Sequence, residues 1–441
     1  MEQYFYQLMD YLTAQLHGAE IFLCKFEGEH SDFTRFNHAK IRQAGTVEQR
    51  YLTLDLIDGA RHAHAKLALS GEKTLDQAQL LSALENLRAI LPSLPADPHL
   101  LYATEINSSE HLGNNALPHP KDAVTEIINQ VQGHDFVGIY AEGGIFKGFA
   151  NSLGQRNWHS SYSFNLDWSF YHSKDKAVKT AYAGLHWDNA AFQQKVDRAL
   201  QELDLLKQPS RKIPRGKYRV YLAPAALSEI IGMLTWDGFS AKAHCSKQSP
   251  LLRMSQAPKQ NLHPSISLRE HTADGIAPAF QAQGFIKPDA VTLIEKGEWK
   301  TALISPRSAQ EFGLVTNGAD EEEMPNSLQL AAGDFPQADV LKTLDTGVYI
   351  NNLWYLNYSD RAACRITGMT RFASFWVEKG EIVAPLDVMR FDETIFNILG
   401  DNLLALTQEQ EMIIDSDTYE QRSVNSTLMS GALVKDFTFT L

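Results

Sequence analysis

Tyr4, Leu8, Leu12 and Leu16 recur at helical spacing and predict an amphipathic helix at the start of the chain. Tyr51-Leu52-Thr53-Leu54-Asp55-Leu56 alternates instead, then meets Asp58-Gly59, a tight-turn signal, so a strand and hairpin follow. Thr74, with Gln77 three residues on, predicts a capping box ahead of the apolar stripe Leu80, Leu81, Leu84, Leu87 and Leu91, which Pro92 ends. Pro92, Pro95, Pro98, Pro118 and Pro120 then stand among polar residues, the mark of a long surface loop that adds nothing to the core. Between Tyr162 and Phe170 every second residue is apolar or aromatic (Tyr162, Phe164, Leu166, Trp168, Phe170), predicting a half-buried strand. Asn189 is expected to cap a helix with Phe192, Val196, Leu200, Leu203 and Leu206 on one face.

The segment Gln208-Pro209-Ser210-Arg211-Lys212-Ile213-Pro214-Arg215-Gly216 carries no periodicity, which places a domain boundary there, between residues 1–210 and 217–441. Beyond it, short apolar runs at 290–294, 301–304 and 373–377, separated by turn residues, predict a second half built largely of strands. Two helices interrupt it, near 225–234 and 338–344. The fold class is α+β, and the acidic run 320–323 reads as solvated loop.

Composition narrows the function classes. The chain has 441 residues and a formal charge of -13, which repels phosphate backbones and anionic lipid, so nucleic acid is not an expected partner. No window approaches the roughly 20 apolar residues that span a bilayer, and the first residues lack the pattern of a secretory signal. Cys24, Cys245 and Cys364 are odd in number and scattered, which fits a reducing cytoplasm better than a disulfide framework.

All histidines lie at or before His271. His62-x-His64 puts two rings on one strand face, either as a chelating pair or as edge histidines, and His244-Cys245 has no second pair to complete a tetrahedral set. Gly143-Gly144-Ile145-Phe146-Lys147-Gly148 lacks the Gly-Lys-Ser/Thr ending of a phosphate loop and is expected to form a hairpin turn; no Gly-x-Ser-x-Gly elbow occurs. Cys364, flanked by Arg361 and Arg365, is either an activated thiol or a plain buried residue. In Ser228-Glu229-Ile230-Ile231-Gly232-Met233, after the apolar strand 218–222, a helix carries the lone carboxylate Glu229. Zinc hydrolysis needs two imidazoles on one helical face with a carboxylate beside the first, and Ser228 and Met233 stand where those imidazoles belong.

Several segments together resemble the TldD/PmbA family, linked to DNA gyrase modulation and peptide maturation. They are Ser31-Asp32-Phe33-Thr34-Arg35-Phe36 with Ile41-Arg42-Gln43, Gly148-Phe149-Ala150-Asn151-Ser152-Leu153-Gly154, Leu293-Ile294-Glu295-Lys296-Gly297, Ser374-Phe375-Trp376-Val377-Glu378-Lys379-Gly380-Glu381-Ile382, and Gly431-Ala432-Leu433 before Asp436-Phe437. The resemblance implies an α+β first domain and a β-rich second domain enclosing a peptide-binding cavity in a dimer. Catalytic members of the family are zinc metallopeptidases with a His-Glu-x-x-x-His helix and a C-terminal cysteine ligand; partner members share the fold without that set. Only Glu229 matches here, since Ser228 and Met233 replace the histidines and no cysteine follows Cys364. The resemblance therefore implies a metal-less partner subunit, with zinc in a TldD-like catalytic chain and peptide as the substrate. Asn351, Asn352, Arg361, Arg365 and Arg371 are the candidate lining residues, and Glu229 a vestigial catalytic position. The alternatives are an active hydrolase whose metal is held by His62, His64 or carboxylates with Glu229 as base, and a protein that pairs with a second copy of itself to sequester peptides.

Overall fold

The computed structural model describes residues 1–173, 176–256 and 262–441. Its strands form two sheets. The seven-stranded sheet contains β1 (Ile21–Asn37), β2 (Lys40–Asp58), β3 (Arg61–Ala68), β4 (Ser109–Leu112), β5 (Asp135–Asn151), β6 (Arg156–Ser173) and β7 (Lys176–Gly184). Their order is β3-β2-β1-β5-β6-β4, with β7 also paired to β6. The eleven-stranded sheet contains β8 (Gly216–Leu222), β9 (Leu268–Glu270), β10 (Val291–Glu295), β11 (Glu298–Trp299), β12 (Ser327–Leu330), β13 (Gly347–Asp360), β14 (Arg365–Glu378), β15 (Glu381–Pro385), β16 (Arg390–Thr394), β17 (Leu403–Ile414) and β18 (Ser426–Phe439). Its order is β11-β10-β9-β12-β18-β16-β14-β13-β8, and β8 also pairs with β18, so this part of the sheet closes on itself. The expected α+β class is the class observed. The five longest helices are α1 (Glu2–Thr13), α2 (Lys73–Ile90), α3 (Pro120–Val131), α4 (Asn189–Leu206) and α5 (Pro224–Thr235).

Helices α1 and α2 seal one face of the first sheet, where Phe5, Leu8 and Leu12 meet Phe22, Phe26, Leu52, Leu54, Leu80 and Leu84. The predicted capping box does not form. Helix α2 begins behind Glu72, which makes no side-chain cap, and Asp76 in its first turn instead ties down the preceding turn by accepting from the N–H groups of Ser70 and Gly71, both at 2.9 Å. One carboxylate with two free oxygens satisfies more donors there than the Thr74 hydroxyl could. Asp188, likewise, and not Asn189, caps α4, accepting from Ala190 N at 2.8 Å and Ala191 N at 3.1 Å.

Other expectations yield to tertiary structure. The proline-rich stretch supplies β4, parallel to β6, and buries Ala103. The glycines at 143, 144 and 148 lie inside β5, not in a hairpin. Gly143 has φ +135° and passes so close to β1 that a Cβ would collide with the His30 carbonyl. Residues 301–304 form no strand; Leu303 makes an isolated bridge to Ser240, outside both sheets. In the acidic run, Glu323 is 1% exposed and accepts from Ser240 Oγ (2.7 Å), Lys242 N and Ser305 N (both 2.8 Å). It joins the starts of two short helices, Ala241–Cys245 and Pro306–Phe312, where backbone N–H groups favour an anion.

The two sheets meet through one shared core. Phe192, Val196, Ala199, Leu203 and Leu206 of α4 pack with Phe164, Leu166 and Trp168 of β6 and with Tyr221, Tyr349, Phe375 and Leu433 of the second sheet. The polar face of β6 is covered as well, because the 415–425 connection between β17 and β18 lies across it. From that connection Arg422, 5% exposed, donates to Ser163 O (2.8 Å), Ser163 Oγ (2.9 Å), Ser31 Oγ (3.3 Å) and Gly143 O (3.3 Å). Beside it, Gln421 Nε2 donates to Gly28 O at 2.9 Å, and Gln421 Oε1 accepts from Lys147 Nζ at 2.7 Å. Burial pulls the Arg422 guanidinium below its usual value, while Glu29, Tyr140 and Glu142 favour its charge. Arg422→Met strands these acceptors and is expected to lower stability by about 3 kcal/mol, read from the urea midpoint at unchanged slope. A loss below about 1 kcal/mol would show that this connection does not clamp the sheets.

Candidate functional site

A cavity of about 850 Å³ opens between the sheets, walled by β6, β7 and α4 on one side and by α5, β13, β17 and β18 on the other. Helix α4 builds its wall by periodicity: Ala191, Gln194, Lys195, Arg198 and Glu202 fall on the stripe adjoining the buried Phe192, Val196 and Leu203. The cavity carries five carboxylates, Asp167, Glu202, Glu229, Glu411 and Asp415, and three cations, Lys179, Lys195 and Arg198.

Each cation has a carboxylate partner. Lys179 pairs with Asp167 at 3.2 Å, Lys195 with Glu411 at 3.0 Å, and Arg198 with Glu202 at 3.4 Å. Glu202 also accepts from Asn351 Nδ2 at 2.5 Å, and Arg198 donates to the Tyr349 hydroxyl. Burial raises the Glu202 carboxyl pKa, and Arg198 opposes the rise. Asp415 accepts from Asp417 N at 3.0 Å. Glu229 projects into the cavity from α5, and among the described residues it has no hydrogen-bond partner. It is reached by solvent inside the cavity, yet the surrounding walls raise its carboxyl pKa, with Lys179 opposing.

Of the residues singled out in the sequence, Glu229, Asn351 and Asn352 come together in this cavity, and Ser228 and Met233 line it beside Glu229. Asn352 Oδ1 is buried without a partner. The three arginines lie outside the lining. Arg361 donates to Trp236 O (3.0 Å), Gln248 O (3.1 Å) and Asp237 (2.7 Å), holding the end of α5; Arg365 pairs with Asp392 at 3.1 Å; Arg371 stacks on Trp354 at 4.8 Å. Burial pushes the Cys364 thiol up to about 12 against the pull of Arg361 and Arg253, so it is the plain buried residue and not the activated thiol.

His62 stands on edge strand β3, away from the cavity, 3.3 Å from Asp55 and 3.2 Å from Asp97, and His64 is exposed. His244 Nε2 lies 2.9 Å from Gly238 O, its ring packs on Trp299 at 4.2 Å, and Cys245 is exposed. Sequence reading missed Lys195, Arg198 and Glu202. Their signal was the charged stripe on α4, with opposite charges at i and i+4, which looks the same whether it faces a cavity or bulk water.

Zinc does not fit the residues present. The cavity lining contains no histidine and no cysteine, and among the described residues no three His, Cys, Asp or Glu side chains converge as a ligand set. Met233 is 3% exposed within the second sheet's core, and Ser228 Oγ lies 3.5 Å from Thr427 Oγ1. A hydroxyl, a buried thioether and one carboxylate are a weak set for this metal.

The fold is shared along the chain with solved structures. A protein from Thermotoga maritima designated a modulator of a DNA gyrase is 15% identical over 100% of both chains, with a TM-score of 0.75. TldE from Thermococcus kodakarensis is 14% identical over 100% of both chains, with a TM-score of 0.74. A protein from Bacteroides thetaiotaomicron with the gyrase-modulator designation is 14% identical over 99% of this chain and 98% of its own, with a TM-score of 0.75. The PmbA/TldA metallopeptidase C-terminal domain matches residues 215–441, more than half of the sequence, and the chain belongs to the TldD/PmbA family. No curated protein matches it.

An unpartnered carboxylate in a partly desolvated wall costs the fold stability. Because the Glu229 pKa is raised above its ordinary 4.5, the native state holds this proton more tightly than the unfolded chain, and the penalty grows as pH rises through that window. Glu229→Gln is therefore expected to match wild type at about pH 4 and to exceed it at about pH 7 by roughly a few tenths of a kcal/mol after solvent screening. Paired denaturation curves at the two pH values test this, and a destabilised variant would give Glu229 a structural role.

Proposed function

We propose that this chain is a metal-less subunit of a cytoplasmic TldD/PmbA-type peptidase, holding extended peptide in the cavity while a catalytic partner supplies zinc and water. The observation that carries this reading is the donor set: α5 offers the cavity Ser228 and Glu229, with Met233 packed in the core at its edge, and among the described residues no imidazole or thiolate lines it. Backbone grip suits such a role. Lys179, Thr180, Ala181 and Ala183 of β7 line the cavity, and among the described residues that strand pairs only with β6, leaving its second edge to offer main-chain hydrogen bonds to an extended segment. The free thiols Cys24, Cys245 and Cys364 suit a reducing compartment.

The test compares the purified chain alone with the chain co-expressed with a His-Glu-x-x-x-His relative from the same genome. Expected are less than about 0.1 zinc per chain after dialysis, no peptide hydrolysis by the chain alone, and hydrolysis with stable co-purification when the relative is present. Stoichiometric zinc, or hydrolysis without a partner, overturns the reading in favour of an active enzyme. A stable homodimer that binds peptide and ignores the relative favours the sequestering alternative.

A further inference from the structure

The charges around the cavity do not cancel. Lys179, Lys195 and Arg198 are each committed to a carboxylate, Asp415 is held by a backbone N–H, and Glu229 is left over. Space is left beside it too. Gly232 lies three residues on, on the same helical face, and a Cβ there would meet nothing within 4 Å. A glycine inside a helix costs about 1 kcal/mol relative to alanine, and here it leaves room next to a carboxylate that has neither an ion-pair nor a hydrogen-bond partner among the described residues. Asn352, which also lines the cavity, has an Oδ1 that is buried and lacks a donor.

A carboxylate, an idle amide oxygen and an adjoining vacancy together want a compact cationic donor. Among the described residues an anionic group would find every lining cation already paired, and would face Glu229 with only the shared Lys179 to offset it. The formal charge of -13 biases approach in the same direction. We infer that the cavity selects peptides bearing a protonated amine or guanidinium, with Glu229 as its counter-charge. The inference rests on the reading of the cavity as a peptide site and adds the chemistry of the peptide. Both an α-ammonium and a Lys or Arg side chain supply that chemistry.

Four versions of one C-terminally labelled decapeptide separate the sources: free or acetylated at the N-terminus, and carrying lysine or norleucine at one internal position. Their affinities for the full-length wild type and for Glu229→Gln are measured by fluorescence anisotropy at low salt. At least one cationic version is expected to bind wild type on the order of tenfold more tightly than the doubly neutral peptide, the effect of one charge-assisted pair in a partly desolvated site. That ratio should fall toward one in Glu229→Gln. The version that carries the ratio names the source. Equal binding of all four peptides by wild type, or a ratio that survives in Glu229→Gln, overturns this inference and leaves the peptide site standing. Failure of wild type to bind any of the four overturns the peptide site and this inference together.

Discussion

Burial of one face of α4 in a core that both sheets share is the interaction from which the cavity follows. Phe192, Val196, Ala199, Leu203 and Leu206 fix the helix at van der Waals distance from β6 and from the second sheet. Burying large side chains of this kind contributes about 1.5–3 kcal/mol each, enough to hold the helix wherever its apolar stripe points. The adjoining stripe, with Lys195, Arg198 and Glu202, cannot close against the walls in the same way, because taking charges out of water costs several kcal/mol each even when they are paired. The walls stay apart, and ion pairs bridge the lining. The void is thus a property of one amphipathic helix placed between two surfaces.

Elements with strong periodicity were legible in the sequence, among them α1, α2, α4, α5 and the centre of β6, because each buries a stripe that repeats at its own period. What was not legible depended on residues far away in sequence. Ser163 and Asn165 read as the wet face of a half-buried strand and are buried by a connection some 250 positions later; Asn165 donates to Ile414 O and Ser163 binds Arg422. The glycines of β5 look like a turn because the close approach of β1 that requires them is invisible in one dimension. At the site, Glu229 stood out through its helix, whereas the α4 charges carried no mark distinguishing an interior wall from a solvated one. Which arginines would face the cavity was equally hidden, since β13 and β14 are broken by register shifts that redirect side chains.

Helix α5 does not look like a metal site that has decayed. Each position where the catalytic pattern places a ligand has a settled environment of its own: Met233 completes the second core, and Ser228 lies beside the Thr427 hydroxyl. Only Glu229 is left without a satisfied role in the fold. A residue that stabilises nothing around it, in a wall whose cations are all paired elsewhere, is where binding and stability part company.

The last strand has a consequence for how the protein is made. β18 pairs with β8, β12, β16 and β17, so the strand nearest the C-terminus is the hub of the second sheet. Synthesis at about 5–20 residues per second leaves β8 and the strands after it waiting for many seconds with open edges. The first sheet and its helices need no part of β18 for their hydrogen bonds, but the 415–425 clamp arrives only just ahead of it. Closure of the second sheet and sealing of the cavity therefore both wait for residues 415–439. A chain stopped short of residue 426 would carry every residue of the α4 and α5 walls and still be prey for chaperones and proteases.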